Sequence, residues 1–174
     1  MTLAFALLLS LAIATPAAQM SPPPRDGDIR VLYWELRDVT EVWLTLEPQS
    51  RSGEMLPVTV TLTASFPGRR PAAPIADVQV RAYVGLLWAP RPQLAFVLDG
   101  GETLDLAPAV AADADGGIVS VAATISIETL NRLGRARSVA GNALRLEFAL
   151  TESQRRAVAA FADRVQSPGP ASAR

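Results

Sequence analysis

Leu56-Pro57-Val58-Thr59-Val60-Thr61-Leu62-Thr63-Ala64-Ser65-Phe66 decides the fold class. On an extended chain Leu56, Val58, Val60, Leu62, Ala64 and Phe66 fall on one side, and Thr59, Thr61, Thr63 and Ser65 on the other. Successive side chains of a strand point to opposite faces, so this period of two describes a strand with one apolar face and one wet face. The many β-branched side chains suit a pleated, half-buried surface better than a helix.

The pattern recurs on the C-terminal side. From Asp77 to Trp88, Val78, Val80, Ala82, Val84, Leu86 and Trp88 stand opposite Gln79, Arg81 and Tyr83. Val119, Val121, Ala123, Ile125 and Ile127 stand opposite Ser120, Ala122, Thr124 and Ser126. Weaker strands are expected at Ile29–Arg37, Val42–Glu47, Leu94–Asp99 with Glu102–Leu106, and Ala143–Leu150. Asp99-Gly100-Gly101-Glu102 reads as a two-residue hairpin and Gly141-Asn142 as a second, because Gly and Asn tolerate the positive φ of such turns. Pro67-Gly68-Arg69-Arg70-Pro71 breaks the chain, and Ala107–Gly117 reads as a longer loop. Trp34 groups with Leu32 and Leu36, and Trp88 extends an apolar face, so these indoles are assigned to the core. Trp43 and Tyr83 fall opposite the apolar sets of their strands.

Two helices are expected near the end. Glu128–Arg137 has Ser126 available as a cap and Leu130, Leu133 and Ala136 on one side. The second opens with the capping-box spacing Thr151-Glu152-Ser153-Gln154 and carries Val158, Phe161, Ala162 and Val165 at helical intervals. Ser167-Pro168-Gly169-Pro170 stops it. The fold class is therefore mainly β: an antiparallel β-sandwich or partly open barrel, with one short helix and a C-terminal helix packed on the sheet.

Before the strands lies Thr2–Ala14, an uncharged run of about 13 apolar residues, too short for a ~30 Å hydrocarbon layer at 1.5 Å per residue. Small residues and Pro follow it, which suits signal-peptidase cleavage after Ala14, Ala17 or Ala18. The n-region lacks Arg and Lys, so an uncleaved signal anchor is the alternative. The chain divides into a signal peptide (1–18), a flexible spacer (19–28), a single β-rich domain (29–166) and a disordered tail (167–174). A body of about 140 residues can bury enough surface for a real core without staples.

Composition narrows the chemistry. The 174 residues contain no Cys and no His, and all 16 basic residues are Arg. This removes disulfides, thiolate and imidazole metal sites, the usual histidine base, the P-loop lysine and Schiff-base catalysis. A formal net charge of -1, with acidic residues scattered, argues against nucleic-acid binding. Asp113-Ala114-Asp115-Gly116 has the look of a calcium loop, but Ala111 and Ala122 stand where its anchoring carboxylates belong, so it reads as a polar turn. Glu35 with Glu41, and Asp99, Glu102 and Asp105, are candidate carboxylate pairs for acid–base hydrolysis, more simply read as solvated edge charges.

No catalytic, cofactor or metal residue is assigned. Tyr83, Trp88 and Arg91 are the candidate ligand-binding residues, because the rigid Ala89-Pro90-Arg91-Pro92 loop would present an indole and a guanidinium. These features describe an exported, non-catalytic binding or structural module of the bacterial cell envelope, periplasmic or secreted, without cofactor. Its partner would be a protein or a glycan of the envelope, with membrane contact only if the leader is retained. The alternatives are a small hydrolase using Asp/Glu chemistry without His or metal, and a signal-anchored component of a membrane complex.

Overall fold

The computed structural model describes residues 25–51, 57–69, 75, 77–84, 93–106, 110–114 and 118–167, with only the backbone of 110–114 and 118–119. The leader, Trp88, Arg91, Asp115 and the tail beyond Ser167 lie outside them.

The strands are β1 (Ile29–Trp34), β2 (Val39–Leu46), β3 (Gln49–Ser50), β4 (Val58–Pro67), β5 (Asp77–Val84), β6 (Leu94–Leu98), β7 (Glu102–Leu106), β8 (Val110–Ala114), β9 (Ile118–Ser126), β10 (Val139–Ala143) and β11 (Leu146–Ala149). The helices are α1 (Ile127–Arg135) and α2 (Glu152–Gln166), with a 3-10 turn at Glu35–Arg37. The strands form a six-stranded sheet, β1-β2-β4-β5-β9-β8, and a five-stranded sheet, β3-β11-β10-β6-β7. Among the described residues every pairing is antiparallel and the sheets close no barrel, so the fold is a mainly β, sandwich-like arrangement.

The period-two pattern sets the inner face of the larger sheet. Val42, Leu44 and Leu46 of β2, Val58 to Phe66 at alternate positions of β4, and Val78, Val80, Ala82 and Val84 of β5 are all buried in one core. Phe96 and Phe148 enter it from the smaller sheet and meet edge to face, with ring centroids 6.0 Å apart. Leu130, Leu133, Val158, Phe161, Ala162 and Val165 of the helices join the same cluster. Burying Val158, Phe161 and Val165 contributes about 1.5–3 kcal/mol each before entropy is subtracted.

The helices begin where their caps predict. The Ser126 hydroxyl accepts the Thr129 N–H at 3.1 Å. At α2 the capping box is complete: Thr151 Oγ1 accepts from Gln154 N at 3.2 Å and Gln154 Oε1 accepts from Thr151 N at 2.9 Å. The buried Gln154 amide also donates to the Asp26 carboxylate at 3.0 and 3.1 Å and to the Glu47 carbonyl at 2.9 Å. Arg25–Asp28, the last residues of the expected spacer, are thus tied to α2 and to the end of β2. α2 packs on α1 and reaches β2. Gly134 permits the helix contact, since a Cβ there would lie 2.9 Å from the Ala159 Cα.

Four expectations are corrected. Ala107–Gly117 is not all loop: Val110–Ala114 pairs with β9, its alanine-rich sequence giving way to the demand of the β9 edge for a partner. The 99–101 connection has three residues rather than two, with Asp99 and Gly100 at positive φ and Leu98 facing Glu102. The second hairpin turns at Leu144-Arg145, not Gly141-Asn142. Leu144 and Arg145 take φ of 51° and 75°, held by the Asn142 side chain accepting the Arg145 N–H and by burial of Leu144. Gly141 instead lies in β10 beneath Phe148, where an added Cβ would stand 2.2 Å from the ring.

The fourth concerns Leu32, Trp34 and Leu36, which are exposed rather than core. Their register explains it: Leu32 faces Glu41 and Arg30 faces Trp43, so the even positions of β1 lie on the outer face of the larger sheet. Ile29 and Val31 are the residues that β1 turns toward the core.

Candidate functional site

The outer face of the larger sheet carries a concave surface of about 460 Å³, lined by Trp34, Arg37, Glu41, Trp43, Thr61, Thr63, Ser65, Gln79, Arg81 and Tyr83. Three strands supply most of it through their outward positions. Pairing places Trp43, Thr63 and Gln79 in one row across β2, β4 and β5, with Thr45, Thr61 and Arg81 in the next and Thr59 facing Tyr83 beyond. Adjacent strands lie about 4.8 Å apart, so each row is a line of closely spaced side chains.

Glu41 organises one end. Its Oε2 accepts from Trp34 Nε1 at 2.7 Å and from Trp43 Nε1 at 3.1 Å, while Oε1 accepts from Arg37 at 3.4 Å. The Arg37 guanidinium also lies over the Trp34 ring, 5.2 Å from its centroid. Glu41 is only 9% exposed, so its charge is screened little and its three donors hold it in place. It is not the solvated edge charge its sequence position suggested. Two indoles and a guanidinium are fixed by one carboxylate, which commits three of its roughly four acceptor sites to the protein.

On the opposite face of β1 from Trp34, Tyr33 donates its hydroxyl to Asp38 at 2.7 Å, with Arg69 over its ring. The hydrogen bond to Asp38 pushes the Tyr33 phenol above its ordinary pKa, with desolvation and the nearby carboxylates adding to the effect.

The outer face of the smaller sheet holds a second concavity, about 490 Å³, of different character. Its floor is Ala95, Val97, Ala140 and Ala149, with Arg51, Arg137 and Arg155 at the margin. It is floored by small side chains, and among its described lining residues the one aromatic group is Phe148, which is fully buried. Size does not separate the two surfaces; side-chain chemistry does.

Of the residues singled out from sequence, Tyr83 lies on the outer face with Trp43, as the alternation placed both. Trp88 and Arg91 lie outside the described residues. Trp34, Arg37, Gln79 and Arg81 were missed as site residues, and Glu41 was named only with Glu35 as a candidate carboxylate pair. The available clue was the outward parity of Trp43, since a hairpin that sets Trp34 near Trp43 requires both indole N–H groups to find an acceptor. Among the described residues no group of three or more acidic side chains could hold a metal ion, and no helix is long and apolar enough to cross a membrane.

Fold and site together describe an antiparallel two-sheet domain with a helix pair and a polar–aromatic sheet face. No protein-family model matches the chain, and no curated protein or solved structure matches it.

Proposed function

We propose that this chain is a non-catalytic binding module, exported to the bacterial cell envelope, that holds a glycan on the outer face of its larger sheet. One observation carries the reading: Glu41 accepts hydrogen bonds from both Trp34 and Trp43, so the aromatic pair is rigid before any ligand arrives. Preorganised groups lose little freedom on binding. Sugar rings combine apolar C–H faces with hydroxyl groups. Indoles match the first, and the planar donors of Arg81 and Gln79 with the Thr61, Thr63 and Ser65 hydroxyls match the second.

The hydrolase reading is less well supported. Glycoside hydrolysis uses two carboxylates flanking the scissile bond. Among the described lining residues Glu41 is the one carboxylate, and it is already occupied by three donors. Export rests on the apolar leader and the small residues after it.

Co-sedimentation with purified peptidoglycan sacculi, and tryptophan-fluorescence titration with a panel of soluble polysaccharides, test this reading. Saturable binding is expected, reduced at least tenfold by Trp43→Ala and by Arg81→Ala without loss of cooperative melting. Absence of saturable binding to every glycan, or full binding by both variants, would overturn it.

A further inference from the structure

We propose that two copies of this chain associate edge to edge through β1, about a twofold axis that passes at Leu32. β1 ends the six-stranded sheet, and among the described residues no strand pairs with its far side. Such an edge is a template for another strand, and proteins that keep their edges free blunt them with Lys, Pro, bulges or very short strands. β1 shows none of these: it pairs with β2 in unbroken register over all six residues, contains no proline, and has Arg30 as its single charge. The exposed large hydrophobics among the described residues are Leu32 at 40%, Trp34 at 43% and fully exposed Leu36, all in β1 or the turn that leaves it.

The register selects a second copy. In an antiparallel pair about a twofold normal to the sheet, facing residues share a face, so their numbers must sum to an even value. A sum of 64 sets Leu32 against its own counterpart and Arg30 against Trp34 of the partner subunit, twice per dimer. That places a guanidinium beside an indole and puts no like charges opposite each other. A sum of 62 opposes Arg30 and Leu32, and a sum of 66 leaves only three strand residues facing.

Trp34 is ready for this contact, because its N–H is already held by Glu41. The result is one continuous twelve-stranded sheet, with both apolar faces on one side and both polar–aromatic faces on the other. Five facing residues make a small interface, so dissociation in the micromolar range is expected. The inference stands apart from the glycan reading and is tested without glycan.

The chain has no cysteine, so Leu32→Cys introduces its only thiol. At the axis the two Cβ atoms would lie about 4.5–5.5 Å apart, near enough for a disulfide to form with slight adjustment. Leu36→Cys is the control: it is more exposed, but it lies in the turn beyond Trp34, whose two copies are already about 13 Å apart along the strands. Mild oxidation should give a covalent dimer with Leu32→Cys and little with Leu36→Cys. Sedimentation equilibrium should show reversible dimers of the unsubstituted chain, weakened at least tenfold by Leu32→Lys with an unchanged melting temperature. Equal crosslinking at the two positions, no crosslinking at Leu32→Cys, or a monomer at all concentrations would overturn the proposal.

Discussion

β4 has two sides, and they differ in a way its alternation does not show. Inward, Val58, Val60, Leu62, Ala64 and Phe66 are uniformly buried in a dry core. Outward, Thr61 is only 8% exposed and bonds to the Arg81 carbonyl at 3.4 Å, whereas Thr59 and Thr63 are half-buried and Ser65 is exposed. The outer side is therefore not simply wet. Long neighbours on β2 and β5, among them Trp43, Arg81 and Tyr83, shelter its middle. Polarity tells which side avoids the core, but the size of cross-strand neighbours decides how much water reaches it.

Three aspartates along β4 would break or sharpen that contrast. Val60→Asp buries an unpaired charge in the core and should abolish cooperative unfolding in urea. Thr61→Asp should cost about 1–3 kcal/mol, because a sheltered position must take a charge. Thr63→Asp should cost less than about 1 kcal/mol. Equal costs at Thr61 and Thr63 would show that the sheltering is unimportant.

Two polar side chains are buried on the inward side, Thr40 of β2, whose hydroxyl donates to the Gly68 carbonyl, and Gln154 of α2, whose amide meets Asp26, the Glu47 carbonyl and the Thr151 N–H. Gln154→Leu should lose about 1–3 kcal/mol by leaving those groups unpaired. That corresponds to a fall of roughly 3–9 °C in melting temperature for a domain of this size. An unchanged melting curve would mean water replaces the amide without penalty.

The smallest effect lies at the end of β1, where Tyr33 donates to Asp38. Its folded pKa is raised, so the contribution of this contact is complete below the ordinary tyrosine value of about 10 and is lost as pH rises through the folded value. Absorbance titration should find a tyrosine ionising later than usual, and Asp38→Asn should bring it back toward the ordinary range. Asn accepts the left-handed backbone that Asp38 adopts at φ 48°, so the fold should survive the change.

The inner face and the two helices were legible because each follows from local periodicity and capping. Val78, Val80, Ala82 and Val84, then Val121, Ala123 and Ile125, and the stripe Val158, Phe161, Ala162, Val165 all turn out buried. The site was legible only in part. Alternation put Trp43 and Tyr83 outward, but Trp34 was grouped with Leu32 and Leu36 as core, since hydrophobicity does not state which side of an edge strand has a layer above it. Gly141 misled for a related reason: glycine marks turns, yet here it makes room for Phe148 from the neighbouring strand.

By itself the sequence determined the mainly antiparallel β class, the apolar face of each central strand, the caps at Ser126 and Thr151, and a chemistry without thiol, imidazole or amine side chains. These depend on neighbours along the chain or on residue types alone. Only the tertiary structure decided that Val110–Ala114 is a strand, that the last hairpin turns at Leu144-Arg145, and that Trp34, Trp43 and Arg37 converge on Glu41. Each of these depends on what lies across a strand pair, where hydrogen-bond register and side-chain volume, rather than local preference, set the lowest free energy.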